Sequence, residues 1–330
     1  MTARASESST LNGKLPTAGP RIALALGGGG ARGLAHIAML EAFDELGVKP
    51  SIIAGTSIGA IYGAAYASGI AASDLREHTR YILSQRFGLL RDLFVKTAQP
   101  FQRLFSVFGA KSALLDPVAV LDIILPREVK ASFSECTIPL RIVASDFYEQ
   151  EPRIFSEGPL RPAVAASMAL PVLFQPVIAG GRALIDGGLT NPLPFDILMA
   201  EADIVVAIDV SGAPVPDARR PAPTALEALF ASAFLFERTI VREKLKAAQP
   251  DILISAGTSR YQVLDFLKCD EILNAAAPAK EKLKQQLARV LSVETLPLLD
   301  AAEKPPEAVT APKRKKRTLI PRGRRGREHK

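Results

Sequence analysis

The sequence predicts an α/β fold with a mostly parallel central sheet that helices cover on both faces. Short apolar runs alternate with segments of helical periodicity, which is the pattern of strand–helix–strand units. Hydrophobic residues make up 48% of the 330 residues. They are mostly Ala, Leu, Ile and Val, which suits parallel strands buried on both faces.

The individual elements follow from local pattern. A first strand is expected at residues 21–26, ending in four glycines, and a helix follows over residues 34–46 until Gly47 stops it. A second strand at residues 51–54 leads into an apolar helix at 58–72, which is too short to span a bilayer and is therefore predicted to be buried. Further strands are expected at residues 140–144, 183–185, 204–208 and 252–255. Further helices are expected at residues 117–125 with Asp116 as N-cap, and at 159–167, 194–200 and about 226–247.

Composition separates a central domain from two tails. Residues 1–20 are rich in Ser, Thr, Gly and Pro, and residues 301–330 in Pro, Lys and Arg, so both ends are predicted to be disordered. The formal net charge is +7, but residues 311–330 hold ten of the 41 Lys and Arg residues and only one acid, Glu328. The predicted domain at residues 21–300 is therefore close to neutral.

The cysteine count and residues 1–20 indicate the cellular compartment in which the protein is expected. Cys136 and Cys269 are too few for a disulfide framework or a four-ligand metal cluster, which favours a reducing compartment. Residues 1–20 lack the apolar core of a secretory signal. We therefore expect a cytoplasmic protein that needs no metal or cofactor, and the basic tail would allow peripheral contact with the inner face of the membrane.

A glycine-rich loop follows the first predicted strand. Residues Gly28, Gly30 and Gly33 match G-x-G-x-x-G, but no acidic residue ends the second strand as a dinucleotide site requires, and no Gly-Lys-Ser/Thr follows as in a Walker A loop. Consecutive glycines including Gly29 can expose several N–H groups at one point and hold a developing negative oxygen. Arg32 would add charge or lock the loop through a buried carboxylate. The alternative is a tight turn without a ligand.

A second motif lies between a predicted strand and a predicted helix. Its sequence is G-x-S-x-G with Ser57 at the centre, the pattern of a nucleophile elbow, in which a serine sits on a strained turn with its hydroxyl exposed. The helix start behind Ser57 would add another N–H to an oxyanion site. The flanking positions are Gly55, Thr56, Ile58 and Gly59.

A serine nucleophile needs a base. His36 precedes the motif in a packed helix, His78 follows it closely in a polar helix, and His329 lies in the C-terminal tail, so none is a credible base. Asp186 ends a predicted strand, and Gly187 and Gly188 follow it. These glycines would let its carboxylate approach a serine, where a dry site would raise its basicity. The alternative is an ordinary turn aspartate.

Three motifs, G-G-G-G-A-R-G, G-T-S-I-G and D-G-G, occur in this order, and the arrangement resembles the patatin-like phospholipase family over about residues 21–300. A run of Ser167, Pro171, Phe174 and Pro176 adds to the resemblance. It implies a three-layer sandwich and a Ser–Asp dyad acting on phospholipids, lysophospholipids or related lipid esters. By the same resemblance Ser57 is the nucleophile, Asp186 the base, the backbone of Gly28–Gly30 the oxyanion site, and Arg32 the family's basic residue after the glycines.

Two other functions remain open at this stage. One is an acyltransferase, which resembles this arrangement in fold but places histidines where this chain has Thr56 and no suitable residue. The other is a catalytically weak, lipid-binding regulator. Residues 86–111 interleave Phe and Leu with Lys and Arg, and would form a lid, a membrane-contacting surface or core-covering helices. The basic tail would bind anionic lipid at about 1 kcal/mol per nearby cation. The alternatives are a solvated tail and a nucleic-acid contact, and we favour lipid over nucleic acid.

Overall fold

The computed structural model describes residues 19–85, 115–213, 222–223 and 225–293, and the statements below refer to these. The expectations for residues 86–111 and for most of both tails lie outside the described residues. The described residues up to Leu291 form one compact unit, and Ser292 begins a second. The fold below is that of the first unit.

A mixed sheet of eight strands forms the centre of the described structure. The strands are β1 Ile22–Leu26, β2 Ile52–Thr56, β3 Leu140–Asp146, β4 Pro152–Phe155, β5 Val177–Ala179, β6 Arg182–Asp186, β7 Ile204–Asp209 and β8 Ile252–Ser255. Their spatial order is β5-β6-β3-β2-β1-β7-β8, and β4 pairs with β3. The strands β3, β2, β1, β7 and β8 run parallel, whereas β4, β5 and β6 pair in antiparallel fashion. The prediction of a mostly parallel sheet is therefore confirmed.

Seven α-helices are found among the described residues. Asp116 caps the helix that begins at Pro117, as expected, because its side chain accepts a hydrogen bond from the N–H of Val118 at 2.9 Å. None of these helices combines the length and apolar character needed to cross a bilayer. The helices are α1 Ala35–Glu45, α2 Ile58–Ala67, α3 Ala72–Gln85, α4 Pro117–Ile124, α5 Leu160–Ser167, α6 Ala225–Ala247 and α7 Cys269–Val293.

Both faces of the sheet are covered, which gives three layers. Alternate residues of a strand point to opposite faces, and β1 shows this directly. Leu24 and Leu26 belong to a large apolar cluster with residues of α1, α2 and α7. Ala23 and Ala25 belong to a second cluster that includes Val241 of α6. The prediction of helices on both faces is confirmed.

One predicted helix is wrong. Residues 194–200 contain only a short 3-10 turn, Asp196–Leu198. Leu193 and Phe195 are both buried against the sheet, and their two-residue spacing suits an extended chain rather than a helix. Asp196 is also held by Lys244 of α6 at 2.5 Å. Tertiary contacts therefore decide the conformation of this segment.

Candidate active site

Ser57 lies between the end of β2 and the start of α2, in the strained conformation of a nucleophile elbow. Its φ and ψ are 54° and −121°, a region that non-glycine residues rarely adopt. A β-carbon at Gly59 would collide with the carbonyl of Leu26, so only glycine allows the start of α2 to pass this close to β1. At Gly55 a β-carbon would lie 2.5 Å from the carbonyl oxygen of Gly59. The spacing of the glycines thus follows from the close packing of the turn.

Hydrogen bonds from distant parts of the chain hold this turn in place. The Ser57 N–H donates to Ser167 Oγ at 2.8 Å, and the Ser167 hydroxyl donates to the carbonyl of Val143 at 2.5 Å. Ser167 is fully buried at the end of α5. On the other side, Thr56 Oγ1 donates to the carbonyl of Asn191 at 2.8 Å. Ser167 therefore connects the turn at Ser57 to β3, a role that we did not assign from the sequence.

The structure brings Ser57 and Asp186 together. Ser57 Oγ donates a hydrogen bond to Asp186 Oδ2 at 2.7 Å. The other carboxylate oxygen, Oδ1, accepts the N–H of Gly188 at 2.8 Å. The backbone of Asp186 is fixed as well, because its carbonyl accepts the Ser145 hydroxyl at 2.8 Å and its N–H donates to Ala169 at 3.0 Å. Two contacts thus orient the carboxylate, and two more fix the backbone that carries it.

Burial makes Asp186 a stronger base than an ordinary aspartate. Its side chain is 3% exposed. Burial raises the pKa of Asp186 to about 6, and the hydrogen bonds from Ser57 and Gly188 oppose that rise. A carboxyl with this pKa is mostly ionised at neutral pH, and it accepts a proton more readily than an exposed one.

The two glycines after Asp186 leave space that the site needs. A β-carbon at Gly187 would collide with the carbonyl of Val143. A β-carbon at Gly188 would lie 2.7 Å from Glu237 Oε1 and 3.1 Å from Asp186 Oδ1. The D-G-G motif therefore allows close approach on both sides of Asp186.

The glycine loop passes directly beside Ser57. A β-carbon on Gly28 would lie 3.5 Å from Ser57 Cβ. The N–H of Gly28 donates to the carbonyl of Pro192 at 2.9 Å, so this amide is already engaged. Gly29 and Gly30 have no backbone hydrogen bond to their N–H groups within the described residues. Of the three glycines expected to supply an oxyanion site, Gly29 and Gly30 are thus the ones with available amides.

Arg32 was expected to add charge or to lock this loop through a buried carboxylate, and within the described residues it contacts the loop through a backbone carbonyl. Its Nε donates to the carbonyl of Gly29 at 3.2 Å, and its guanidinium carbon lies 5.0 Å from the centre of the Phe234 ring. Arg32 is 3% exposed. Burial lowers the pKa of Arg32, and the charges of Glu237 and Asp209 oppose that effect. Gly33, the last glycine of the motif, packs against the side chain of Ile58.

A cavity of about 270 Å³ opens from Ser57. Gly28, Gly29, Gly30, Ser57 and Asp186 all line it. The remaining wall is mostly apolar and comes from α2, α3, α4 and neighbouring segments. Examples are Ile58, Ile61, Ala65, Leu75, Val120 and Phe174.

Neither described histidine bonds to Ser57. His36 is fully buried, its Nε2 lies 2.8 Å from the carbonyl of Gly27, and burial lowers its pKa to about 4. His36 is therefore neutral and supports the glycine loop. His78 lines the cavity, but its Nε2 lies 2.9 Å from the carbonyl of Ile124. His329 lies outside the described residues.

Glu237 of α6 also lines the cavity, and we did not identify it from the sequence. It is 5% exposed. Burial raises its pKa to about 8, the charge of Asp186 adds to the rise, and Arg32 opposes it. The sequence did contain one signal, because Phe234, Glu237 and Val241 are spaced to share one face of a helix. In the structure both apolar neighbours on that face are buried.

Comparison with known proteins gives a consistent assignment. The sequence model of the patatin-like phospholipase family matches residues 24–199. An uncharacterized NTE family protein of Mycobacterium tuberculosis is 36% identical over 205 residues, which are 62% of this chain and 53% of that protein. Patatin-like phospholipase domain-containing protein 7 of Rattus norvegicus is 33% identical over 195 residues, which are 58% of this chain and 14% of that protein.

Among solved structures, VipD from Legionella pneumophila matches with a TM-score of 0.42 and 16% sequence identity, covering 81% of this chain and 67% of that chain. The chain spans about half the length of the Mycobacterium tuberculosis relative and 14% of the Rattus norvegicus relative. The match to the family model covers more than half of this chain, so the chain belongs to the patatin-like phospholipase family.

Proposed function

We propose that this chain is a serine ester hydrolase acting on lipid esters, with Ser57 as the nucleophile and Asp186 as the base. The observation that carries the proposal is the 2.7 Å hydrogen bond from Ser57 Oγ to Asp186 Oδ2, since both residues line a mostly apolar cavity. The family assignment supports a lipid ester as the substrate class. Phospholipids and lysophospholipids are the esters that we favour.

Acylation needs one nucleophile and one proton acceptor. Ser57 Oγ forms a bond to the ester carbonyl carbon while its proton passes to Asp186 Oδ2, over a hydrogen bond that is already in place. The bond between the carbonyl carbon and the alcohol oxygen then breaks. The leaving alcohol takes the proton from Asp186, and the acyl group remains on Ser57.

The negative charge that develops on the carbonyl oxygen needs hydrogen-bond donors. Gly29 and Gly30 border the cavity beside Ser57, and their N–H groups have no backbone partner within the described residues. Ile58, the first residue of α2, is a further candidate because the first N–H groups of a helix lack intrahelical partners. One such donor contributes roughly 3 kcal/mol to transition-state stabilisation.

Deacylation repeats the same proton transfers with water. Water gives a proton to Asp186 as its oxygen attacks the acyl carbon, and Ser57 Oγ leaves with that proton. The products are a free carboxylic acid and the original enzyme. Every proton in the cycle passes through Asp186, so none of these steps requires a histidine.

The apolar wall of the cavity suits the acyl chain of a lipid. Ile, Leu, Val and Ala side chains of α2, α3 and α4 contribute much of it, together with Phe174, Phe234 and Phe266 from other segments, and they would be desolvated favourably against a hydrocarbon chain. Contact with an anionic membrane through the basic residues of the tail is a further part of this proposal. Those residues lie outside the described structure.

The proposal is tested with a soluble ester and then with lipids. Wild-type protein should hydrolyse p-nitrophenyl butyrate, and Ser57→Ala should lower kcat by at least a thousandfold. Hydrolysis at equal rates by both proteins would overturn the proposal. Incubation with a mixed phospholipid and lysophospholipid extract, followed by mass spectrometry and with Ser57→Ala as the control, would identify the head group and the acyl chain that are released.

A further inference from the structure

The polar side chains that line the cavity are almost all paired within the protein. Ser57 bonds to Asp186. The Tyr62 hydroxyl lies 3.3 Å from Thr79 Oγ1, and His78 Nε2 lies 2.9 Å from the carbonyl of Ile124. Glu237 also lines this cavity, and its side chain makes no hydrogen bond to the protein within the described residues.

The neighbouring cation does not supply the missing partner. The charge of Arg32 acts on Glu237, yet no ion pair within 4 Å joins the two in the described structure. The Nε of Arg32 is committed to the carbonyl of Gly29, and its guanidinium stacks on Phe234, one turn before Glu237 on α6. Arg32 therefore lowers the cost of a charge on Glu237 without satisfying its hydrogen bonds.

Glu237 lies close to the reacting groups. The point where a β-carbon on Gly188 would stand is 2.7 Å from Glu237 Oε1 and 3.1 Å from Asp186 Oδ1. The two carboxyl groups thus approach each other across Gly188. In the proposed reaction Asp186 returns a proton to the leaving alcohol, so the alcohol oxygen passes beside Asp186. The rest of the alcohol then comes within reach of Glu237.

Protonation makes Glu237 a versatile hydrogen-bonding group at neutral pH. Because burial and the charge of Asp186 raise its pKa to about 8, the side chain is mainly a neutral carboxylic acid at pH 7. A neutral carboxyl both donates and accepts hydrogen bonds. Buried polar groups in folded proteins nearly always have a partner, so a cavity-facing group without one in the protein is available to water or to a bound ligand.

We propose that Glu237 is a specificity-determining residue that hydrogen-bonds a hydroxyl group of the leaving alcohol. The site then favours esters whose alcohol part carries a free hydroxyl two carbons from the ester oxygen over esters that have a methyl group at that place. This inference rests on the proposed function, because it requires Ser57 and Asp186 to act on the ester.

Two esters of the same acid isolate this contact. The 2-hydroxyethyl and propyl esters of octanoic acid differ only in a hydroxyl group that replaces a methyl group of similar size. We expect wild-type kcat/KM to be about tenfold higher for the hydroxyethyl ester, which corresponds to about 1.4 kcal/mol. A wild-type ratio near one would overturn the inference without any variant.

Variants at position 237 assign the preference to this side chain. In Glu237→Leu the ratio of the two kcat/KM values should fall to near one, whereas Glu237→Gln should keep most of it because an amide also donates and accepts. Glu243→Leu is the matched control, since Glu243 lies on the same helix but is exposed, and its ratio should equal that of the wild type. A wild-type ratio in Glu237→Leu would overturn the inference.

The test separates this inference from the proposed function. If Ser57→Ala abolishes hydrolysis of both esters while the ratio does not respond to Glu237, only the specificity role fails. If Ser57→Ala hydrolyses both esters as fast as the wild type, the proposed function fails. Should Glu237→Leu unfold below the assay temperature, Glu237→Met replaces it, and the same ratio decides.

Discussion

The hydroxyl of Ser167 lies 2.8 Å from the backbone nitrogen of Ser57 and joins the nucleophile turn to the carbonyl of Val143 on β3. The two residues are 110 positions apart in the chain. A turn with positive φ is maintained only where the surrounding structure holds it. The Ser167 hydroxyl supplies one such restraint at the residue that the proposed reaction depends on.

Removing this hydroxyl should weaken both folding and catalysis. In Ser167→Ala the Ser57 N–H and the Val143 carbonyl lose a buried partner, which costs about 1–3 kcal/mol of unfolding free energy. We expect a lower melting temperature and a kcat for p-nitrophenyl butyrate reduced about tenfold, with KM little changed. Ser84→Ala removes an exposed hydroxyl and is the control. A Ser167→Ala enzyme with wild-type kcat would show that the elbow does not need this bond.

The rate should depend on pH through Asp186. Its pKa is raised to about 6 by burial, and only the ionised carboxylate can accept the proton of Ser57. We therefore expect kcat/KM to fall as pH decreases through about 6 and to level off above pH 7. The measurement is a pH profile with p-nitrophenyl butyrate in buffers of constant ionic strength. An activity that is constant from pH 5 to 8 would argue against Asp186 as the base.

Because the pKa of Asp186 is raised in the fold, its ionisation at neutral pH lowers the free energy of unfolding. A carboxyl whose pKa rises from 3.8 in the unfolded chain to about 6 in the fold binds its proton more tightly when folded. Its stabilising contribution is complete below pH 3.8 and is lost as pH rises through 6, which amounts to about 3 kcal/mol. Asp186→Asn should therefore melt at a higher temperature than wild type at pH 8, with a much smaller difference at pH 4. Equal melting temperatures at both pH values would contradict this account.

The basic tail should contribute to membrane binding rather than to chemistry. Ten Lys and Arg residues lie among residues 311–330. Deleting these residues should weaken sedimentation with liposomes that contain anionic lipid, and leave hydrolysis of p-nitrophenyl butyrate intact. Neutral liposomes serve as the control, since the attraction is electrostatic. Loss of activity on the soluble ester would show that the tail has another role.

The sequence predicted those parts of the fold and site that depend on local patterns. The strands β1 and β2 are continuous apolar runs, and β8 Ile252–Ser255 was predicted with its observed bounds. Ser57 and Asp186 were proposed from the glycines at fixed spacing around each, and the structure places their side chains within hydrogen-bonding distance. The short edge strands β4 and β5 were not predicted, since three or four residues carry little periodicity.

Contacts between distant residues could not be predicted from the sequence. Nothing near Gly28 indicates that its N–H is bonded to Pro192, and nothing near Ser167 indicates that it holds Ser57. The helix α7 was not predicted, and it contains Pro278, a residue that usually ends helices. Glu237 was missed because an acid within an apolar helical stripe becomes significant only when the cavity that it borders is known.

The central claim is that Asp186 activates Ser57, and the rate of covalent labelling tests it most directly. Wild-type protein is treated with a fluorophosphonate at pH 7.5, and the modified residue is followed by mass spectrometry. The account predicts labelling of Ser57 that slows at least a hundredfold in Asp186→Asn, a variant expected to fold and to keep the Gly188 hydrogen bond. Labelling of Ser57 at the wild-type rate in Asp186→Asn would contradict it.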